Sequence, residues 1–415
     1  MTSPTLHSRP PVTPPPPVTG RVRTLLAGRF GGFDGPFWVV IGGTAMNRVG
    51  NMVLPFLVFF LGSRGVATDR IPYVLAALGA GGLVGPVLGG LLTDRYGTRP
   101  TLLAGLLATA AGQGLLFAAP GLATLTAAAA LLGASGSVYP PAAGAVIAGA
   151  VAPARRQIAY GLLHWAVNVG TAVAGALGGF LVVHGYGLLF ALDAVTCLAY
   201  AALVAARLPR EAAGPSRQRG GAGGYRVVLR DRPMLLLLSL SAVAEAVYAQ
   251  TEFTLPLAVR DHGLPATTFG LAAVVNALLV VTLQPFASVW LARFDRLRVW
   301  SFASVLAAVG VGLTGLADST WEFALTVVVW SAAEVCVGGI VTSIAADLAP
   351  AGAQGRFQGA LSWSRGLARF AALGGGAAVY AGLGPAVLWW GTALTGVAGA
   401  LLGLRLAGAV RERMG

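Results

Sequence analysis

Seven ionisable side chains fall inside otherwise apolar runs of this chain: Arg48, Asp193, Glu245, Glu252, Glu334, Arg365 and Arg369. A charge at the centre of a hydrocarbon layer costs roughly 2.5 to 3.5 kcal/mol on insertion scales, so each needs a partner or a wet cavity. Glu245 and Glu252 are seven residues apart and share one helical face, with Tyr248 between them. Arg365 and Arg369 are four apart and share another. Two acids opposite two bases can form a network in which a carboxylate alternates between an Arg and a proton, because losing the Arg in a low dielectric favours the neutral acid. Such chemistry couples ion movement to something else. A permanent ion pair that only fixes helix packing would use the same residues, and both readings stay open.

The elements that must carry these charges are membrane helices. Hydrophobic residues make up 56% of the 415, charged residues only 10%, and the mean hydropathy is +0.75, far from the roughly 25% charged composition of soluble domains. A bilayer core about 30 Å thick needs about 20 apolar residues per helix. Such runs are expected near 37–61, 72–93, 98–119, 121–148, 158–183, 187–208, 233–258, 268–292, 299–318, 321–346, 357–382 and 385–407. The fold class is therefore all-α, with twelve transmembrane helices in two six-helix bundles. Residues 1–32 read as a proline-rich disordered tail and not a cleaved signal peptide. Residues 33–208 form the first bundle, 209–232 an Arg- and Gly-rich linker, 233–407 the second bundle and 408–415 a short tail. Counting 1.5 Å per residue places Glu245, Glu334 and Arg369 near the midplane, with Glu252 nearer one face. Asn47 and Arg48 fall mid-span 1, where Arg48 could serve an anionic substrate or neutralise Asp193, although a structural role for Asp193 is favoured. His164 and Asn168 share a face of span 5, with His164 read as an interface residue near the basic end.

Every one of the 28 basic residues is Arg, and the net charge is +13. In a soluble chain that excess would suggest nucleic acid, but most of the arginines fall in connections on one side of the layer. Arg95, Arg99, Arg155, Arg156, Arg293, Arg296 and Arg356 lie there with the linker arginines, whereas the other side keeps Arg64, Arg70 and Arg260 beside Asp69, Asp261, Asp318 and Glu322. The positive-inside rule then puts both termini in the cytoplasm and the chain in the cell membrane. The halves also repeat. Ala152-Pro153 is followed by Arg156, Gly161 and Trp165, and Ala349-Pro350 by Arg356, Gly359 and Trp363.

Between spans 2 and 3 runs Gly89-Gly90-Leu91-Leu92-Thr93-Asp94-Arg95-Tyr96-Gly97-Thr98-Arg99. Gly90, Leu92, Asp94, Arg95, Gly97 and Arg99 resemble the loop that joins the second and third helices of the major facilitator superfamily of transporters. Thr93 stands for a small Ala and Thr98 for an Arg of that pattern. The resemblance implies the family's paired-bundle fold, which rocks about a central site, and a conformational latch in Gly90, Asp94, Arg95, Gly97 and Arg99. It also implies a partner for Asp94 near Gly355 to Gln358, where the start of span 11 offers free backbone N–H groups. A solvated turn that merely fixes topology is the plainer alternative.

Span 5 is similar to a motif of the family's proton-driven drug exporters in Gly161, Gly170, Ala174-Gly175 and Gly178-Gly179, without its Pro. Related exporters carry a Glu in span 10 ahead of an ending like Asp347-Leu348-Ala349-Pro350, which makes Glu334 the first candidate for proton coupling, before Glu245 and Glu252. The Arg that family members often carry early in span 4 is absent, so its proton-relay role is not carried over. Arg365, Arg369, Arg48 and Asp193 are the ion-pair candidates. Candidates for lining the substrate cavity are Asn47, Asn168, Tyr248, Gln250, Asn276, Gln284, Trp330 and Trp363. Polar groups this sparse suit lipophilic, drug-sized ligands better than sugars.

With no Lys a phosphate-binding loop is excluded, so ATP held by this chain does not drive transport. Cys197 and Cys336 read as packing residues, and no His/Cys/Glu spacing suits a metal. The sequence therefore suggests a non-enzymatic carrier without cofactor, energised by a proton gradient and acting as a monomer in the lipid bilayer on a small lipophilic substrate, with no nucleic-acid partner. Export by antiport is expected. Import by symport and a transport-silent sensor or scaffold are the alternatives.

Overall fold

In a layer without water every backbone N–H and C=O must be satisfied within its own segment, and the chain meets this with helices alone. The computed structural model describes residues 32–67, 69–210, 224–265 and 267–414, and no strand occurs among them. Residues 1–31 of the expected tail, Thr68, residues 211–223 of the expected linker, Ala266 and Gly415 lie outside the described residues.

Twelve long segments follow one another: α1 (Gly35–Ser63), α2 (Ile71–Tyr96), α3 (Thr98–Ala118), α4 (Leu122–Ala150), α5 (Arg156–Leu181), α6 (Tyr186–Arg207), α7 (Arg232–Asp261), α8 (Thr267–Leu291), α9 (Arg296–Leu313), α10 (Thr320–Leu348), α11 (Gln354–Gly382) and α12 (Pro385–Met414). Eleven are long and apolar enough to cross a membrane by composition. The twelfth, α11, carries Arg356, Arg365 and Arg369 along its 29 residues, a length of about 43 Å at 1.5 Å per residue, ample for a span. Beyond 407, where a tail was expected, α12 continues as helix to Met414.

Local chemistry sets several of these ends. Asp231 accepts from the Met234 N–H to cap α7, Asp295 from the Arg298 N–H to cap α9, and Ser319 with Glu322 forms a capping box on α10. Three helices break within the layer. Helix α1 stops at Gly50 and resumes at Val53, α7 breaks at Thr254, and α10 breaks at Gly338–Gly339. Gly339 has φ +79°, which suits glycine, and a Cβ there would fall on the backbone of Tyr160 and Gly161 in α5.

Helices α1 to α6 pack mainly on one another, as do α7 to α12. Each group encloses two apolar clusters, one towards the Arg-rich face and one towards the other face. In the first group Phe37, Leu102, Ile147 and Tyr160 form one, and Leu57, Phe60, Leu116 and Phe190 the other. In the second, Met234, Trp300, Ile344 and Phe357 pair with Phe323, Trp330, Tyr380 and Trp389. Because lipid is as apolar as Leu, close van der Waals packing of small residues must hold such helices together. Helices α2 and α4 show this most directly, since a Cβ on Gly133 would fall on the Leu78 carbonyl.

The two groups meet along α2 with α11, α5 with α8, α4 with α11, and α10 with α4 and α5. The ion pairs that join the groups, Asp94–Arg356 and Arg156–Asp347, lie at the Arg-rich face. On the opposite face the described ion pairs, Arg260–Asp261 and His262–Asp318, stay inside one group. The molecule is closed at its basic face.

Gly133→Ala is expected to lower the melting temperature in detergent, because overpacking costs about 1 to 3 kcal/mol. Gly136→Ala, one turn away with nothing within 4 Å of the new Cβ, is expected to melt like the wild type.

Candidate functional site

Closure at the basic face centres on Asp94. Helix α2 ends at Tyr96 and α3 starts at Thr98, so the turn occupies Gly97 alone, whose φ of +103° disfavours any other residue. This abrupt end leaves Asp94 in the last turn of α2, facing the first turn of α11. Its Oδ1 accepts the Gly355 N–H at 2.7 Å, and its Oδ2 accepts the Arg356 N–H at 3.0 Å and Arg356 Nε at 2.7 Å. Two backbone donors at a positive helix end and a guanidinium hold one carboxylate. Both side chains are buried, at 8% and 3% exposure for Asp94 and Arg356.

Glycines let the helices come this close. A Cβ on Gly90 would lie 2.7 Å from the Gly355 carbonyl oxygen and 2.5 Å from the hydroxyl of Tyr225. Tyr225 was not singled out in the sequence, where it reads as part of the linker. Its hydroxyl donates to the Val87 carbonyl at 3.0 Å, while the Gly224 carbonyl accepts from Arg356 Nη1 at 2.8 Å. Burial and the neighbouring Asp94 push the Tyr225 phenol above its ordinary range, so it stays a donor. The linker thus reaches into the α2/α11 crossing. Of the remaining loop residues, Arg95 lies over the Tyr96 ring and Arg99 caps α6 by donating to the Ala205 carbonyl at 2.7 Å.

A second fastening uses the repeated arginine of the first half. Arg156 at the start of α5 pairs with Asp347 at the end of α10 at 2.7 Å, and Arg296 of α9 takes the other oxygen at 2.6 Å. Deeper along this seam Trp165 Nε1 donates to the Val281 carbonyl at 2.8 Å, tying α5 to α8. A 240 Å³ cavity lined by Gln157, Asp295 and Arg296 lies beside it at the basic face.

Glu334 sits at the inner end of the same seam, in the turn of α10 that precedes its break. Its Oε2 accepts the Tyr248 hydroxyl at 3.0 Å and Asn276 Nδ2 at 2.7 Å, and Asn276 also donates to Ser331 Oγ at 3.0 Å. Across the seam His164 Nε2 lies 3.9 Å from Oε1. Gln284 and Asn168 hold the other ring nitrogen, so both amides gather around one histidine. Tyr248 and Asn276 therefore meet at the Glu334 carboxylate and Gln284 and Asn168 at the histidine beside it, with Trp330 edge-on to Tyr248.

Other expected members do not join it. Arg369 bonds Glu245 at 3.2 Å and also pairs with Glu252, forming a separate triad between α7 and α11. Arg365 does not complete the expected two-by-two network, because its Nε donates instead to Ser241 Oγ at 3.2 Å, a turn before Glu245. Gln250 points into the α7/α11 contact, where it bonds Thr254 and lies against Gly376. Trp363 is 40% exposed, unlike its repeat partner Trp165 at the seam.

The first bundle also departs from expectation. Asn47 does not line a cavity; it is buried, donating to Cys197 Sγ at 3.1 Å and accepting from the Tyr139 hydroxyl at 2.7 Å. Arg48 and Asp193 form no salt bridge among the described residues, although the Arg48 charge lies near enough to attract the carboxylate. Asp193 accepts Gln113 Nε2 at 2.7 Å and the Val53 backbone N–H, thereby capping the restart of α1 after its break. Arg48 forms no ion pair among the described residues, and its Nε is buried without a hydrogen-bond partner. The geometry holds no metal cluster among the described residues.

Comparison with known proteins agrees with this architecture. The family model described as Major Facilitator Superfamily matches residues 37–372 and 251–413. A Na⁺, Li⁺, K⁺/H⁺ antiporter of Planococcus maritimus is 22% identical over 363 residues, covering 78% of this chain and 84% of its own. The multidrug resistance protein MdtH of Escherichia coli O1:K1 / APEC is 25% identical over 279 residues, 66% of this chain and 68% of that protein. Among solved structures, the human organic anion transporter MFSD10 (TETRAN) superposes with a TM-score of 0.71 at 17% identity, covering 91% of this chain and 99% of its own.

Asp94→Asn turns an NH₂ group towards N–H donors and removes the negative charge that faces the Arg356 guanidinium. Breaking a buried pair in this way costs roughly 3 to 5 kcal/mol, so the basic face is expected to open in spin-label distance measurements, with turnover impaired and expression retained. Tyr225→Phe loses one hydrogen bond, about 1 kcal/mol, and is expected to shift the same distances by a smaller fraction.

Proposed function

The chain belongs to the Major Facilitator Superfamily and is a multi-pass membrane transporter, and on that premise we propose that it exports lipophilic, drug-sized molecules in exchange for protons. The observation that carries the proposal is the setting of Glu334. Within the spans Glu245 and Glu252 share Arg369, whereas the partners of Glu334 are a phenol, an amide and an imidazole. Asp193 also lacks an Arg contact, but it is enclosed in the first bundle and caps α1. Glu334 lies instead where the bundles part, at the depth at which transporters place their coupling sites.

A carboxylate so placed can lose its charge by binding a proton at no cost to any permanent ion pair. In the cycle we propose, ionised Glu334 belongs to the form closed at the basic face, and protonation from the opposite side frees the seam to open. Asp94 and Asp347 hold that face shut until the swing breaks their bonds. The Arg excess supports a cytoplasmic basic face and cytoplasmic termini in the cell membrane. The proton gradient serves as the energy source, with no cofactor and with a monomer as the working unit. The multidrug and proton-antiporter descriptions of two relatives support the export reading.

Flux into proteoliposomes under an imposed pH gradient, run in both directions with a panel of lipophilic cations and antibiotics, tests this function. Glu334→Gln is expected to lose gradient-driven flux at least tenfold while retaining exchange of one substrate molecule for another. Unchanged dependence on the gradient in that variant would remove Glu334 from the coupling role.

A further inference from the structure

His164 is the single titratable group of the first bundle that the described ion pairs bring against Glu334. Its Nε2 stands 3.9 Å from Glu334 Oε1, from α5 across the seam to α10. Its Nδ1 lies 3.1 Å from Asn168 Nδ2, which also donates to the His164 carbonyl, an arrangement that suits a ring with its proton on Nε2, the nitrogen nearest the carboxylate. Gln284 places its oxygen at 3.0 Å and its nitrogen at 2.9 Å from the same Nδ1. One amide can therefore serve the neutral ring as a donor or the protonated ring as an acceptor.

We propose that His164 is the positioning residue through which the first bundle reads the charge of Glu334. The inference rests on the proton-coupling role of Glu334 proposed above and goes beyond it by naming what that charge acts on. With Glu334 ionised, the His164 ring stands 3.9 Å from a charged carboxylate across the seam, an electrostatic contact that holds α5 against α10. Once Glu334 takes a proton that charge is gone, the electrostatic attraction across the seam is lost, and the seam is free to part. Protonated His164 would tighten the same contact as long as Glu334 stays ionised.

Other groups near the pair are already engaged or lie further away. Tyr248 of α7 donates to Glu334, with Glu245 and Glu252 behind it on the same helix and tied to Arg369 of α11. Arg365 of α11 turns to Ser241. Helix α8 contributes the amides of Asn276 and Gln284. From α5 itself Tyr160 is committed to the Gly144 carbonyl, and Tyr139 of α4 to Asn47. Arg48 of α1 lies behind Gly170.

Spin labels at the exposed Ala154 and Ala351, with Cys197 and Cys336 replaced by Ser, report the separation of the bundles at the basic face in the ligand-free full-length protein. In the wild type the open fraction is expected to rise several-fold as acidification protonates Glu334. His164→Ala is expected to be open already at the alkaline end, with its pH response reduced at least threefold. His164→Gln keeps an N–H donor and is expected to stay closed there, which separates a lost contact from a lost fold. A wild-type titration curve in His164→Ala overturns the inference. Glu334→Gln tests the underlying reading separately: if it titrates like the wild type, the coupling role falls whatever His164 does.

Discussion

A charge removed from water into hydrocarbon must find a partner or lose its charge, and that constraint accounts for how Asp94, Asp193, Glu245, Glu252 and Glu334 are held. Arg369 satisfies Glu245 and Glu252 together, and Arg356 satisfies Asp94 with the help of two backbone N–H groups. Asp193 is accepted into the first bundle because a broken helix offers it a free N–H. Glu334 meets the requirement only with uncharged or titratable donors. Its charge is therefore the one that proton binding can switch where the bundles meet.

Fastening at the basic face is unequal in the two halves. Arg156 and Arg356 follow the Ala-Pro of their halves by three and six residues, but Arg356 is held by an acid in the last turn of α2 and Arg156 by Asp347 at the end of α10. The first half has Ala150 where the second has Asp347. Broken helices then bring the deeper groups into reach. Without Gly339 in its left-handed conformation α10 could not lie on the backbone of α5, and Glu334 would stand further from His164. Packing at the seam and the approach of His164 to Glu334 at its inner end are thus two consequences of one glycine-dependent contact.

Length and periodicity made the membrane helices legible in the sequence, and even α11 is readable because its three arginines sit in a run long enough to span. The partner of Asp94 at the start of α11 was legible only through the resemblance of its turn to the family's loop between the second and third helices. What stayed hidden depends on helix rotation and on breaks that composition does not encode. Asn47 and Gln250 read as cavity residues, yet each turns into its own bundle. Tyr225 lay in what reads as a linker, and only its contact with Gly90 and Gly359 reveals its place. Arg365 follows the expected face but ends one turn short of Glu245. Registers between separate helices set all of these, and the sequence fixes them only through packing.

Infrared difference spectroscopy of the carboxyl C=O stretch, recorded while the pH of the reconstituted protein is varied, most directly tests whether Glu334 changes charge. The account predicts a band of a buried carboxylic acid that grows on acidification in the wild type and is missing from Glu334→Gln. A band of equal size in both proteins, or none in the wild type over the pH range in which transport varies, would contradict it.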